Sequence, residues 1–242
     1  MRWRLIPLIE ASGTVQMAID QWLLDQHRLG NHPSTLRFYT WLPAAISLGY
    51  HQRQFPEHWK QLTWQGDAID LIRRPSGGRA VLHQGDLTYA VITSGLSGRR
   101  MQDYQTICEF LIKGWRSLGV NLHYGNAGRG YIHNPNCFGT ATVADLVLEN
   151  GAKVIGSAQL RRDSAILQHG SIQLTPDREL YNRIFGTSQL PQLPFDLLEL
   201  KGEALISSVT EALIQAARAS FEIKFDVRSL TESEWQAIYA LL

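Results

Sequence analysis

The hydrophobic spacing of this chain changes period along its length, and that restricts the available folds more than any single residue does. Val15, Ala18, Ile19 and Trp22 follow the i, i+3, i+4, i+7 rule, which predicts an amphipathic helix over about residues 14 to 28 with Gly30 near its end. The period then shortens. Leu36 to Trp41, Ile46 to Tyr50, Ile69 to Ile72 and Leu87 to Thr93 read as short strands parted by Pro, Gly and Asn. Tyr104, Ile107, Cys108, Leu111, Trp115 and Leu118 return to one helical face, with Gly119 as a C-terminal stop. Further strands are expected at Asp145 to Glu149, Lys153 to Ile155 and Ser171 to Leu174. A Pro-rich connector from Leu190 to Phe195 follows, then a last helix carrying Leu205, Val209 and Leu213. Strands and helices interleave irregularly, without regular βαβ units, repeats or low-complexity runs, so the expected class is α+β.

Length and charge narrow the functions. A chain of 242 residues can bury roughly 70–75% of its unfolded surface as one catalytic domain, without help from disulfides or metal. Its net charge of +1, with acids and bases intermixed, provides no broad basic field, so nucleic acid is not an expected partner. The N-terminal Met1 to Glu10 segment is too short and interrupted for a signal peptide. No run approaches the ~20 apolar residues of a membrane span, so a cytoplasmic location off the membrane is expected. There are two cysteines, which argues against a disulfide framework or a CxxC zinc site, and no metal is expected. Cys108 falls on a helical apolar face and reads as a core thiol. Cys137 sits among turn-forming residues, His133-Asn-Pro-Asn-Cys-Phe-Gly-Thr-Ala-Thr142, and reads as a loop thiol open to chemistry. His133 itself reads as structural.

Two stretches carry the chemistry. Arg73-Arg-Pro-Ser-Gly-Gly-Arg-Ala-Val-Leu-His83 gathers Arg73, Arg74, Ser76, Gly77, Gly78, Arg79 and His83 on one strand-loop-strand. Adjacent glycines there let backbone N–H groups approach an anionic or carbonyl group. Lys153-Val-Ile-Gly-Ser-Ala-Gln159 places a lysine at the mouth of a small-residue turn formed by Gly156, Ser157 and Ala158, and His169-Gly170 follows shortly after. Alone, an Arg-Arg pair is ordinarily a solvated rim, a Gly-Gly pair a turn and a lysine a surface charge; the two stretches together point to a ligand site. A lysine near Cys137 would lower a thiol pKa from near ~8.5 into a range of about 3.5–7.5.

The pair of motifs resembles the lipoate-protein ligase and octanoyltransferase family, part of the biotin/lipoate protein ligase superfamily. Its members carry an Arg-Arg-x-(Ser/Thr)-Gly-Gly-x-x-Val-x-His loop and a Lys-Val-x-Gly-Ser-Ala segment in this order. The resemblance spans from the Met17 to Asp20 segment to Leu174. It implies mixed β-sheets flanked by helices, with an acyl chain in a tunnel beneath the glycine loop, where Val81 and Leu82 are candidates to flank it. Cys137-Phe138 and Arg79 resemble the cysteine-dependent octanoyltransferase branch, while Val143-Ala144-Asp145-Leu146 lacks the asparagine of the ligases.

The reaction so implied moves an octanoyl or lipoyl group from acyl carrier protein, through a Cys137 thioester, to a lysine of a lipoyl domain. That domain belongs to a 2-oxoacid dehydrogenase complex or is the glycine cleavage H protein. Lys153 would stabilise the thiolate and relay protons, backbone N–H groups near Gly77-Gly78 or Gly156-Ser157 would hold the oxyanion, and His83 and His169 would line the pocket. No cofactor is needed. The alternative implied by the same resemblance is a lipoate-protein ligase using ATP and Mg, with the glycine loop and Lys153 gripping an acyl-adenylate. A noncatalytic acyl- or lipoyl-domain-binding module is a third reading, because Gln16 and Gln21 replace the family's usual Asn and Glu on the first helix.

Overall fold

The computed structural model describes residues 1–125, 144–186 and 199–242. His133, Cys137 and the Leu190 to Phe195 connector lie outside them. The chain begins with β1 (Arg2–Ala11) and α1 (Gly13–Arg28), then β2 (Thr35–Trp41), β3 (Ala45–Leu48), β4 (Thr63–Trp64), β5 (Asp67–Ala68), β6 (Asp70–Arg73), β7 (Val81–His83) and β8 (Asp86–Thr93). After α2 (Arg100–Ser117) come β9 (His123–Tyr124), β10 (Leu146–Val147), β11 (Lys153–Arg162), β12 (Ala165–Gln173) and α3 (Arg178–Phe185). The described chain closes with α4 (Gly202–Ser220), β13 (Lys224–Val227) and α5 (Glu232–Tyr239).

The larger sheet runs β13-β1-β2-β8-β12-β11-β10-β9, the smaller runs β6-β3-β7, and β4 pairs with β5. β1 is parallel to both β2 and β13, while β2, β8, β12 and β11 pair antiparallel, so the sheet is mixed as the family resemblance implies. Alternation along the central strands explains why both faces are apolar. Leu36 and Phe38 of β2, with Leu87, Tyr89 and Val91 of β8, turn to a core shared with α2 and α4. Tyr39, Trp41, Ala90 and Ile92 turn the other way, onto Met17, Ile19 and Leu23 of α1. The small sheet has its own core, in which Ile46, Leu48 and Leu82 pack with Trp59 and with Leu180, Tyr181 and Ile184 of α3.

Three expectations change here. The strand expected over Asp145 to Glu149 is confined to Leu146–Val147. Gly156, Ser157 and Ala158 do not form a turn: they lie inside the ten-residue strand β11, opposite Ser171, Gly170 and His169 of β12. The N-terminal segment, weighed above only as a leader, is a sheet strand, and β13 and α5 close the domain beside it. That closure is held by Arg4, 2% exposed, whose guanidinium reaches both carboxylate oxygens of Glu234 at 2.6 and 2.8 Å.

Candidate active site

A cavity of about 280 Å³ lies between the two sheets, near the lower end of the ~300–1,000 Å³ usual for small-molecule pockets. Its apolar wall is built by Met17 of α1, Tyr39 and Trp41 of β2, Val81 of β7, and Met101 and Tyr104 of α2. Leu82, by contrast, points into the small-sheet core. The polar wall brings the two sequence motifs together: Arg74, Gly77, Gly78 and His83 from one, and Lys153, Gly156, Ser157, Ala158, His169 and Gly170 from the other. Arg73 and Ser76 line a neighbouring cavity instead, and Arg79 lines neither of the two.

The glycine loop between β6 and β7 is shaped by its own arginines. Arg74 is buried and donates to Ser47 O at 2.7 Å, Gly77 O at 2.9 Å and Arg79 O at 2.7 Å. Arg73 donates to the carbonyls of Gly49 and Gln52, each at 2.8 Å. Gly78 has φ +100°, a conformation open to glycine at little cost. At Gly77 a Cβ would meet nothing within 4 Å, so this residue borders open space. Gly49 is the close approach: its Cβ would stand 2.0 Å from Gly78 O.

Lys153 begins β11, and its Nζ lies 2.8 Å from Asp145 Oδ1, with side-chain exposures of 2% and 5%. An ion pair so deeply placed loses most of its hydration, and its members hold one another in place because either alone would be costly. The pair fixes an ammonium on the cavity wall, where it can stabilise a developing anion or exchange a proton. Cys108 is also buried, accepts a hydrogen bond from Gln168 at 3.3 Å, and is pushed up to about 12 by burial. It therefore stays a thiol at neutral pH and is no nucleophile, which bears out its reading as a core residue. Cys137 lies outside the described residues.

Two buried relays flank the cavity; sequence reasoning named the histidine of each and Ser76, but not Ser47, Asp86 or Asp20. Ser47 Oγ is 2.8 Å from His83 Nε2, and His83 Nδ1 is 2.8 Å from Asp86 Oδ2. Ser76 Oγ is 2.5 Å from His169 Nε2, and His169 Nδ1 is 2.8 Å from Asp20 Oδ2. With each aspartate ionised, Nδ1–H donates to the carboxylate and the serine hydroxyl donates to Nε2, so each ring is held in one tautomer and orientation. Burial pushes the His83 pKa down against the opposing pull of Asp86, and the ring also stacks on Trp41 at 3.8 Å between centroids. Asp20 further accepts from Tyr39 OH at 3.0 Å and faces Arg37 at 3.5 Å. The available sequence signal for Asp20 was an acid set among apolar residues on one face of α1, and for Asp86 its place three residues after His83; Ser47 carried none.

Gln16 and Gln21 separate in role. Gln16 is fully buried and donates to Ile9 O at 3.0 Å and Thr40 O at 2.9 Å, fastening α1 to β1 and β2, while Gln21 borders the neighbouring cavity. Among the described residues no group of His, Cys, Asp and Glu is arranged to hold a metal ion, and no helix is long and apolar enough to cross a membrane.

The family described as lipoyl protein ligase A/B catalytic domain matches residues 12–193 of this chain. An octanoyltransferase LipM of Kyrpidia tusciae is 39% identical over 188 residues, covering 73% of this chain and 68% of the relative. One from Lysinibacillus sphaericus is 31% identical over 261 aligned positions, covering 98% and 92%. Among solved structures, a putative lipoate protein ligase from T. acidophilum with bound lipoic acid superposes with a TM-score of 0.80 at 23% identity, covering 100% of this chain and 95% of that one. That last likeness establishes the fold, and the sequence matches establish the kinship: this chain belongs to the lipoyl protein ligase A/B catalytic-domain family, among its octanoyltransferases.

Proposed function

We propose that the protein transfers an octanoyl group from acyl carrier protein to a lysine of a lipoyl domain, through a thioester on Cys137 and without ATP. The observation that carries this reading is the ammonium of Lys153, buried with Asp145 at the polar end of a cavity whose other wall is apolar. An octanoyl chain lies against Met17, Trp41 and Val81, each buried CH₂ contributing about 0.8 kcal/mol. Its thioester carbonyl then faces Lys153 and the glycine loop. Family membership and the octanoyltransferase relatives support the reaction class. The place of Cys137 in the sequence, ahead of Lys153, supports its role.

In the first half-reaction the Cys137 thiolate attacks the thioester carbon, and the tetrahedral oxyanion collapses to expel the donor thiolate, which takes up a proton. In the second, the neutral ε-amine of the acceptor lysine attacks the Cys137 thioester, loses a proton, and displaces the Cys137 thiolate as the amide forms. Both oxyanions need donors, each worth roughly 2.7–4 kcal/mol. Lys153 is placed to supply one.

Incubation with octanoyl-acyl carrier protein should give an octanoyl adduct by intact mass that hydroxylamine removes and that Cys137→Ala abolishes. No adduct, or one unchanged in that variant, overturns the covalent route. Lipoate-dependent release of pyrophosphate from ATP would show that the chain is a ligase instead.

A further inference from the structure

The second cavity, of about 700 Å³, lies between the glycine loop, Gln21 of α1 and the far end of β11, and shares Arg74, Gly77, Arg100 and Gln159 with the acyl cavity. Its charged lining is of one sign. Arg73, Arg74, Arg100, Arg161 and Arg162 border it together with His51, and among the described residues no Asp or Glu does. Two of these guanidiniums are already matched, Arg161 with Asp103 at 2.7 Å and Arg162 with Asp25 at 2.6 Å. Arg73 is not matched by charge among the described residues: its bonds run to the carbonyls of Gly49, Tyr50 and Gln52. Arg100, exposed at the start of α2, makes no ion pair among the described residues. Gathering guanidiniums in one concavity raises the local positive potential and favours an anion there, and the planar fork of arginine suits phosphate oxygens.

We propose that this cavity seats the phosphate of a pantetheine-armed acyl donor, with Arg100 and Arg73 as its principal partners. The inference rests on the octanoyl-transfer reading above and adds the part of the donor that is recognised. The shared wall gives the arm its path: the thioester reaches Lys153 in the first cavity while the phosphate end remains in the second. A concavity that shares Arg74, Gly77, Arg100 and Gln159 with the first cavity fits a slender arm better than the broad face of a carrier protein.

The test is binding of pantetheine and of 4′-phosphopantetheine, by calorimetry, to the wild-type chain and to Arg100→Ala. The phosphorylated compound should bind at least about tenfold more tightly, with an advantage that shrinks in Arg100→Ala and as salt rises. In turnover, kcat/KM for octanoyl-phosphopantetheine over octanoyl-pantetheine should show the same preference and lose it in the variant. Equal affinity for the two compounds, or a preference untouched by Arg100→Ala, overturns the proposal. A strong preference for octanoyl-acyl carrier protein with no phosphate effect also overturns it, and assigns recognition to the carrier's protein surface. Failure of every donor to acylate the chain removes the octanoyl-transfer reading and is a separate outcome from the binding result.

Discussion

Substituting Gly77 and Gly49 separates ligand space from fold space. A methyl at Gly77 meets no atom within 4 Å, so Gly77→Ala should change folding stability by less than about 0.5 kcal/mol yet lower octanoyl transfer, because the methyl enters the cavity. Gly49→Ala sets its Cβ against Gly78 O and should cost on the order of 2 kcal/mol or more, since backbone must move. Urea unfolding together with steady-state rates distinguishes the two; a stable, fully active Gly77→Ala would remove that residue from the site. Asp145→Asn leaves the Lys153 ammonium without its buried carboxylate and should destabilise by about 3 kcal/mol, measurable in the same urea titration. Lys153, Gly77, Gly78, His83 and His169, which line the cavity, were legible in the sequence as candidate site residues because their motifs are local. Asp20 and Ser47 were not, because each is defined by a partner on a distant element, 149 residues away in the case of Asp20 and His169; Asp86, three residues from His83, was within local reach and was passed over.

At the scale of elements, the contrast between β11 and α5 is instructive. Small residues at 156 to 158 looked like a turn because glycine and serine punctuate sequences. In the fold they run along β11 opposite β12, and the position where a side chain has no room is Gly170 on the facing strand: a Cβ there would stand 2.5 Å from Ser157 Oγ and 2.7 Å from Tyr89 Cε1. The α5 helix is short, and what seats it is Thr231 and Glu234 in a reciprocal capping box together with the Arg4 ion pair. Burial alone would raise the Glu234 pKa, but hydrogen bonds from Arg4 and from the Thr231 N–H pull it down to about 2. A depressed carboxyl stabilises the fold above its unfolded value of 4.5 and loses that contribution as pH falls toward 2. Glu234→Gln should therefore cost on the order of 2 kcal/mol at pH 7. The gap from wild type should close between pH ~4.5 and ~2; a gap independent of pH would show that the ion pair does not anchor the helix.

For the molecule as a whole, stability depends on how many buried polar groups stay paired within and between the two sheets. His83 is held neutral by burial, its pKa below the ordinary histidine value. Below about pH 6.5 the unfolded chain takes up a proton that the folded site resists, so the free energy of unfolding should decline as pH drops. Urea midpoints between pH 7.5 and 5 test this, and His83→Gln should flatten that portion of the curve. An unchanged slope in the variant would assign the acid sensitivity elsewhere.

The sequence by itself determined the helical period of α1 and α2, the strand period of β2 and β8, the α+β class, the core placement of Cys108 and the two motifs that mark the family, because these depend on neighbours a few residues apart. Only the tertiary structure decided that β11 and β12 would set Ala158 against His169, that Asp145 would meet Lys153, and that five arginines would border one cavity beside the one lined by Lys153. Those pairings depend on strand register and on which helix covers which face, and register is settled by packing between segments that local sequence cannot compare.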